Sequence, residues 1–361
     1  MIIITKSYMR LISLFAVSVA FLSGCHAQEL PVSTPSEQGL NEQLIGELIE
    51  IFSNEKPVSD RHSLLIVKNG YLITEEYFNG YSADQLHMLQ SVTKSFTSAA
   101  IGIAIDKGYI EGVEEKVLEF FTEMTDIRNL DDRKRSMALK DILTMQTGTD
   151  YHERGRDAPH FQLNALLTGW DSFYLNRPMV CEPGTKYQYD SGGVILLSAI
   201  LKKATGQHAD EVLEEHLFIP IGIEKKWWIK NFEGHPHTGG GLLLRPRDMA
   251  KFGLLYLQKG KWNGKQIIPE WWVNESFKKR VDFDIKGRGH ETGYGYLWWI
   301  QEPDANNKEE HIVYSARGAF GQFIFIIPDH DMVIVVTADT KGEVFEHPVE
   351  FIYSHILPAC H

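Results

Sequence analysis

The chain has 361 residues, of which 43% are hydrophobic, 23% are charged and 11% are aromatic. This composition excludes a disordered, a collagen-like or a disulfide-scaffold protein, and the length allows one large domain or two intertwined ones. Lys and Arg number 36 against 48 Asp and Glu, which leaves a formal net charge of −12. Because a surface of that sign repels phosphate backbones, nucleic acid is not an expected partner.

The N-terminus has the pattern of an export signal. Lys6 and Arg10 precede the apolar run Leu11–Leu22, which is too short to cross a bilayer as a helix but suits the core of a signal peptide. The small residues directly before Cys25 resemble the lipobox of bacterial lipoproteins, in which the cysteine becomes the lipid-modified first residue. We therefore expect a signal peptide over residues 1–24, a membrane anchor on Cys25 and an exported bacterial protein, periplasmic or at the cell surface. A plain secretory signal that is cleaved nearby is the alternative.

After a polar tether, expected over residues 25–38, the sequence predicts one helix and a β-hairpin. The helical pattern spans Asn41–Phe52. Two β-rich runs, Ser63–Lys68 and Tyr71–Phe78, are separated by an Asn-Gly pair, whose residues readily adopt the positive φ angles of a type I′ turn. These two runs therefore predict a pair of antiparallel strands.

The middle of the chain is mainly helical. Residues 91–107 are small and apolar, which predicts a buried helix that ends near Gly108. Between residues 137 and 260, helical patterns alternate with loops. Clear examples are Ala138–Met145, Gly193–Ala204 and Pro246–Gln258.

The C-terminal part returns to strands, and a helical pattern at Val344–Leu357 closes it. The β-rich runs are Tyr294–Gln301, His311–Ala316, Gln322–Ile327 and Met332–Thr337. Since strands lie at both ends and helices lie between them, we predict an α+β fold for residues 39–361. In this fold the N- and C-terminal strands form one antiparallel sheet flanked by helices, with a mainly helical insertion over roughly residues 115–260.

Ser91 and Lys94 are the first candidates for chemistry. Residues three apart project from the same face of a helix, so the hydroxyl and the amine can come within hydrogen-bond reach. Two other Ser-x-x-Lys strings, at Ser53 and Ser276, lie in charged segments in which lysine stays protonated. Ser91 instead opens an apolar helix, where burial and the positive end of the helix dipole both disfavour the ammonium form. The alternative is a helix-capping serine followed by a lysine that reaches to solvent.

Two further segments contain residue types that can line a pocket. Tyr189 and Ser191 lie between a Pro-Gly turn and an apolar helix, so both hydroxyls can reach a site. A tyrosine that only caps the edge of the core is the alternative. Gly318 lies where two predicted strands meet, and glycine is unfavourable in a strand unless another backbone or a ligand must approach closely. A bulge or a bend is the alternative there.

These motifs, in this order along the chain, resemble those of the serine β-lactamase and penicillin-binding-protein superfamily, most of all the class C β-lactamase-related hydrolases and esterases. The resemblance extends from about Ser36 to the C-terminus. It implies that Ser91 is the acylated nucleophile, that Lys94 takes its proton and that Tyr189 shares the proton transfer. It also implies an oxyanion site made by the backbone N–H groups of Ser91 and Ala319. No metal or other cofactor is implied.

The chain departs from the pattern of this superfamily at two positions. Ser191 stands where Asn is usual, and a hydroxyl offers fewer hydrogen bonds than an amide. Ala316 stands where Lys or His is usual, so the cation that would hold a substrate carboxylate is missing. Arg317 is a candidate replacement, although adjacent residues of a strand face opposite sides of the sheet. Ser191, Arg317 and Gly318 are thus the expected substrate-binding residues.

We therefore expect a serine hydrolase that cleaves a neutral or differently charged ester or amide through an acyl-enzyme on Ser91. A D-alanyl-D-alanine carboxypeptidase or a β-lactamase is the first alternative. An acylated sensor or binding protein without turnover is an alternative of another class. His235 and His237 lack a third ligand at metal spacing, so no metal site is expected. Cys181 and Cys360 are interpreted as structural.

Overall fold

The structure of the protein is a computed structural model that describes most of the chain. The described residues are 29–54, 60–283, 292–302, 311–340 and 350–360. The predicted signal peptide and Cys25 lie outside the described residues, as does the first part of the predicted helix Val344–Leu357. Within the described ranges, no helix is both long and apolar enough to cross a membrane.

An antiparallel sheet forms the frame of the molecule. The strands in the described residues are β1 (Asp60–Lys68), β2 (Tyr71–Tyr77), β3 (His87–Met88), β4 (Lys226–Trp228), β5 (Leu242–Leu244), β6 (Lys261–Trp262), β7 (Lys265–Gln266), β8 (Val281–Asp282), β9 (Gly293–Tyr294), β10 (Trp299–Gln301), β11 (Val313–Gly318), β12 (Gln322–Ile327) and β13 (Met332–Asp339). The large sheet has the order β2-β1-β13-β12-β11-β10-β9-β8, and a small sheet has the order β3-β5-β4.

Helices cover both faces of the large sheet and fill the middle of the chain. They are α1 (Glu42–Asn54), α2 (Thr93–Asp106), α3 (Asp132–Ser136), α4 (Leu139–Leu143), α5 (Pro159–Asn164), α6 (Trp170–Leu175), α7 (Ser191–Thr205), α8 (Ala209–Leu213), α9 (Pro246–Leu257) and α10 (Glu270–Ser276). Single helical turns follow β13 near the C-terminus, at Ile352–Ile356 and Pro358–Cys360.

The predicted pairing of strands from both ends of the chain is confirmed. β1 pairs with β2 on one side and with β13 on the other, in both cases antiparallel. Asn69 (φ 52°) and Gly70 (φ 80°) form the turn between β1 and β2, as the Asn-Gly signal predicts. The α+β fold expected from the sequence is therefore the observed one.

The two faces of the sheet carry separate hydrophobic cores. Along β13, Val333 and Val335 belong to the core shared with α2 and α9. The alternate residues Ile334 and Val336 belong to the core shared with α1 and the C-terminal helical turns. The alternation follows from the two-residue period of a strand, and it makes both faces of the central strands apolar.

One predicted strand is wrong in its extent. Residues 294–301 form two short strands, β9 and β10, because a tight turn reverses the chain between them. In this turn the Gly295 N–H donates to the Trp298 carbonyl at 2.9 Å, and Leu297 adopts a left-handed backbone conformation (φ 61°). A side chain at Gly295 would clash with the last carbonyl of α10. The continuous aromatic and apolar pattern therefore conceals a turn.

Two segments lie closer to the sheet than the expected domain organisation implies. Helix α9 falls within the predicted insertion of residues 115–260, yet it packs against β12 and β13. The end of the predicted tether also contacts the sheet, because Leu30 is buried and the Leu72 N–H donates to the Pro31 carbonyl at 2.8 Å. Packed structure therefore begins near Leu30.

Gly253 allows α9 to approach the sheet closely. A Cβ atom there would lie 2.5 Å from Val333 Cγ1 and 2.8 Å from Ile324 Cγ2. We expect Gly253→Ala to lower the free energy of unfolding by about 1–3 kcal/mol through overpacking, as measured by urea denaturation. Gly46→Ala in α1 is the matched control: no atom lies within 4 Å of its Cβ position, so stability should stay the same or rise by up to about 1 kcal/mol. Equal losses in both variants would contradict this explanation.

Candidate active site

Ser91 lies in a tight turn at the entrance to the central helix. The turn is the 3₁₀ segment Gln90–Val92, and α2 begins directly after it. Gln90 has a left-handed backbone conformation (φ 49°), which is strained for a residue other than glycine. The preceding Leu89 N–H donates to the Leu242 carbonyl at 2.9 Å. Ser91 is therefore held between the small sheet and a buried helix.

Lys94 faces Ser91 from the first turn of α2, and its side chain is only 1% exposed. Its Nζ donates to Ser91 Oγ at 2.8 Å and to the Gly239 carbonyl at 2.6 Å. Burial lowers the pKa of Lys94 to about 8, against the opposing effects of the Glu153 and Asp190 carboxylates. The amine is thus away from bulk water and in direct contact with the hydroxyl of Ser91, which is half-buried.

The ring of Tyr189 lies next to Lys94. Its ring centroid is 4.9 Å from Lys94 Nζ, and its ring stacks on that of Trp299 with 6.0 Å between centroids. Burial raises the pKa of the Tyr189 phenol, and the nearby Ser91 hydroxyl partly offsets this increase. The structure therefore brings Ser91, Lys94 and Tyr189 together, as the sequence predicts.

Asp190, which the sequence analysis did not select, anchors the loop that carries Tyr189. Its carboxylate accepts hydrogen bonds from the Gly193 N–H at 2.8 Å, the Thr147 hydroxyl at 2.8 Å and the Tyr174 hydroxyl at 2.5 Å. Burial raises the pKa of Asp190 to about 6, and these donors oppose the increase. An Asp directly before a helix that accepts from the third residue is a common N-cap, so the residues Asp-Ser-Gly-Gly did contain the signal.

Glu153 is a second carboxylate that the sequence analysis missed. Its Oε1 accepts the backbone N–H of Ser191 at 2.9 Å and lies 3.9 Å from His160 Nδ1. Ser191 is buried and forms the first residue of α7. A Cβ atom at Gly239 would lie 3.4 Å from Ser191 Cβ, so the predicted substrate-binding serine packs against the residue whose carbonyl accepts from Lys94.

The third predicted segment abuts the Ser91 turn from the large sheet. A side chain at Gly318 would clash with the Leu89 carbonyl and lie 3.0 Å from Gln90 Cβ. In the described residues, the pairing between β10 and β11 covers only the first half of β11, Val313–Ser315. The second half of β11 pairs with β12, and on its other side the described residues place no strand. Ala319 directly follows β11 and is half-buried.

Arg317 lies on the other face of β11 from Ala316. Ala316 is paired with Ile324 and Arg317 with Phe323, which belong to the two different cores of the sheet. The Arg317 Nε donates to Ser315 Oγ at 2.7 Å, and its guanidinium carbon lies 5.7 Å from the Trp299 ring centroid. Arg317 is thus near Trp299 rather than in the position that Ala316 occupies.

The two histidines considered for a metal site take separate partners. His237 Nε2 is 2.7 Å from Asn164 Oδ1, and the ring of His235 packs edge-on against that of His208. Across the described ranges, no three His, Cys, Asp or Glu side chains are grouped so that they could hold a metal ion. Among the described residues, neither Cys181 nor Cys360 forms a disulfide.

Comparison with known proteins assigns this arrangement to a family. The family model described as Beta-lactamase matches residues 62–355, a range that contains all three segments of the site. The chain belongs to the Beta-lactamase family. The superfamily resemblance seen in the sequence is therefore confirmed, and with it the membership of a β-lactamase-fold hydrolase family.

Relatives in this family have diverged widely. The 6-aminohexanoate-dimer hydrolase of Paenarthrobacter ureafaciens is 25% identical over 290 residues, which cover 76% of this chain and 71% of that protein. Among solved structures, EstCE1, a hydrolase with promiscuous acyltransferase activity, has a TM-score of 0.72 at 15% identity, covering 90% of this chain and 99% of its own. The octameric penicillin-binding protein homologue from Pyrococcus abyssi has a TM-score of 0.68 at 19% identity, covering 88% and 77%. These structures share the fold.

Removal of the Asp190 carboxylate should destabilise the protein. Asp190→Ala would leave three buried donors, on Gly193, Thr147 and Tyr174, without their acceptor. We expect the free energy of unfolding to fall by about 2–4 kcal/mol, measured by chemical denaturation. The matched control is Asp131→Ala, which removes the exposed N-cap of α3 and should cost clearly less. If the two variants lose the same stability, the Asp190 network is not the anchor described above.

Proposed function

We propose that the protein is a serine hydrolase that cleaves an ester or amide bond through an acyl-enzyme on Ser91. The observation that carries this proposal is the 2.8 Å contact between Lys94 Nζ and Ser91 Oγ with the amine buried. At pH 7, a lysine with a pKa of about 8 is neutral in about one molecule in ten, against about one in 3,000 for an unperturbed lysine. Burial thus increases the neutral fraction of Lys94, the form that can accept the proton of Ser91.

The proposed reaction proceeds in two steps. Ser91 Oγ attacks the carbonyl carbon while its proton passes to Lys94, and the backbone N–H groups of Ser91 and Ala319 stabilise the oxyanion by about 3–4 kcal/mol each. The bond to the leaving group then breaks as that group receives the proton by way of Tyr189. In the second step a water gives up a proton along the same route and attacks the ester, which releases the acid and restores Ser91. These steps use only side chains, backbone and water.

The walls of the site favour a substrate without a carboxylate next to the scissile bond. Ala316 offers no charge, and Arg317, on the other face of β11, donates to Ser315 and lies beside the Trp299 ring. Near Tyr189 lies the aromatic ring of Trp299 instead, which suits apolar or neutral acyl groups. The name of the Paenarthrobacter relative, a 6-aminohexanoate-dimer hydrolase, further supports an amide or ester of this kind.

The place of action belongs to the same proposal. We propose export and a lipid anchor on Cys25, based on the cations, apolar run and small residues at the N-terminus. The anchor would hold the hydrolase at a membrane surface. Mass spectrometry of the mature N-terminus after expression in a bacterium tests this directly, since an unmodified N-terminus at another residue would contradict it.

Ser91→Ala should abolish covalent labelling and turnover together. A fluorophosphonate probe should add its mass to a peptide that contains Ser91 in the wild type, because the buried amine of Lys94 is in contact with that hydroxyl. Hydrolysis of p-nitrophenyl butyrate should fall by at least about 10³-fold in the variant. Ser53→Ala, at another Ser-x-x-Lys string, is the matched control and should behave like the wild type.

Three outcomes separate the proposal from its rivals. Ester hydrolysis that persists in Ser91→Ala would refute the nucleophile. Labelling of Ser91 by ester substrates in a single stoichiometric burst, with no later turnover, would indicate an acylated sensor. Continuous turnover that depends on Ser91 would support the hydrolase.

Because position 316 is alanine and not a cation, we expect the enzyme to prefer neutral substrates over acidic ones. We expect kcat/KM for p-nitrophenyl butyrate to exceed that for p-nitrophenyl hemisuccinate by about tenfold or more, because an unpaired carboxylate is costly to bury. Nitrocefin and D-alanyl-D-alanine peptides should be poor substrates for the same reason. Arg317→Gln should change both p-nitrophenyl esters alike. A loss confined to the hemisuccinate would instead show that Arg317 replaces the cation.

A further inference from the structure

Glu153 joins two parts of the proposed site that are far apart in sequence. It lies in the loop between Thr149 and α5, with 25% of its side chain exposed. Its Oε1 accepts the Ser191 N–H at 2.9 Å, and Ser191 is two residues after Tyr189. At the first turn of a helix the backbone N–H groups have no partner within the helix, so a carboxylate there is favourable on both hydrogen-bonding and dipole grounds.

The same carboxylate lies near Lys94, because Ser191, whose N–H it accepts, packs against Gly239, and the Gly239 carbonyl accepts from Lys94 at 2.6 Å. Two acids surround this amine, Glu153 and Asp190, and of the two Glu153 opposes more strongly the fall in the pKa of Lys94 that burial causes. The Asp190 carboxylate is already shared among three donors. In the described residues, the Glu153 carboxylate accepts one backbone N–H of the site, that of Ser191.

We propose that Glu153 is a positioning residue for the proposed reaction, which holds the start of α7 through the Ser191 N–H and determines through its negative charge the pH at which Lys94 becomes a base. The proposal rests on the proposed function. The role of Glu153 goes beyond the proposed function, because Glu153 touches none of the reacting atoms and lies outside the three sequence motifs.

Several other groups share this environment. Those that sense the Glu153 charge are Lys94, Tyr151, His160, Tyr189, Asp190 and Tyr294. Burial lowers the pKa of His160, and it lowers the pKa of His237 to about 4, so both rings are neutral where Lys94 titrates. The tyrosines are buried with raised pKa values and stay protonated there. Asp190, with a pKa of about 6, is ionised at that pH.

Removal of the negative charge of Glu153 should lower the pKa of Lys94. A negative group near an amine stabilises the ammonium form, so removing it lowers the pKa of the amine. Glu153→Gln keeps an oxygen that can accept from Ser191 but removes the charge. Glu153→Ala removes both. The two variants therefore separate the electrostatic role from the positioning role.

The experiment measures the rate of fluorophosphonate labelling at Ser91 from about pH 5.5 to about pH 10. In the wild type the rate should rise with a midpoint near the Lys94 pKa of about 8. In Glu153→Gln the midpoint should move down by about one pH unit, with the same plateau at high pH, so labelling at pH 6.5 should become several-fold faster. In Glu153→Ala the plateau itself should fall by about tenfold or more, because Ser191 loses this acceptor and Tyr189, two residues before it, is held less firmly although the Asp190 contacts remain. Glu50→Gln, on the exposed face of α1, is the matched control and should reproduce the wild-type profile.

Each outcome bears on one of the two proposals. A Glu153→Gln profile that overlays the wild type overturns the electrostatic role, and a uniform loss of rate at all pH values without a shift indicates a structural role only. A Glu153→Ala plateau equal to the wild type overturns the positioning role. If the wild type itself is not labelled at Ser91, the proposed function has failed. Thermal unfolding of each variant identifies loss of fold, and Glu153→Gln remains informative if Glu153→Ala does not fold.

Discussion

Removal of water from one amine is the condition on which the proposed chemistry of this site depends. Lys94 can be kept dry because α2 is buried around its whole circumference from Thr93 to Ala104, between the large sheet and α7. Burial of a charge is unfavourable unless polar partners replace the lost water. The Gly239 carbonyl and the Ser91 hydroxyl are those partners. The same two contacts that compensate the burial also place the hydroxyl against the amine that is its proposed base.

The site is assembled by close backbone contacts between segments far apart in sequence. Gly318 presses β11 against the Leu89 carbonyl, and Gly239 lies against the backbone of Ser191, whose carbonyl would be 3.1 Å from a Cβ there. A side chain at Gly192 would clash with the ring of Tyr151. At each of these places a larger residue would separate the segments by part of an ångström or more, and positioning on that scale decides hydrogen bonds and proton transfer. These glycines therefore allow the short distances between the segments that form the proposed site.

The sequence predicted those parts of the site that depend on local geometry. The three-residue spacing of Ser91 and Lys94 and the Asn-Gly turn are local signals, and both appear in the structure as expected. Glu153 could not be found in this way, because its contact with Ser191 spans 38 residues and depends on how a loop returns to the helix. Strand alternation correctly warned that Arg317 would face away from Ala316. It could not show that β10 begins only at Trp299, opposite Ser315, since that depends on the turn around Leu297.

The two carboxylates near Lys94 pose a physical question, because each makes the ammonium form more stable and so opposes the formation of a base. Their backbone contacts explain why they are present: Asp190 and Glu153 satisfy N–H groups in the first turn of α7, which would otherwise be buried without partners. Their charge also limits how far burial can lower the pKa of the amine. A lysine with a much lower pKa would be neutral more often but would attract the serine proton less, and a base is most effective when its pKa is near the working pH. A pKa of about 8 is therefore the result of two opposing effects: burial lowers the pKa of Lys94, and the two acids that hold the start of α7 oppose that decrease.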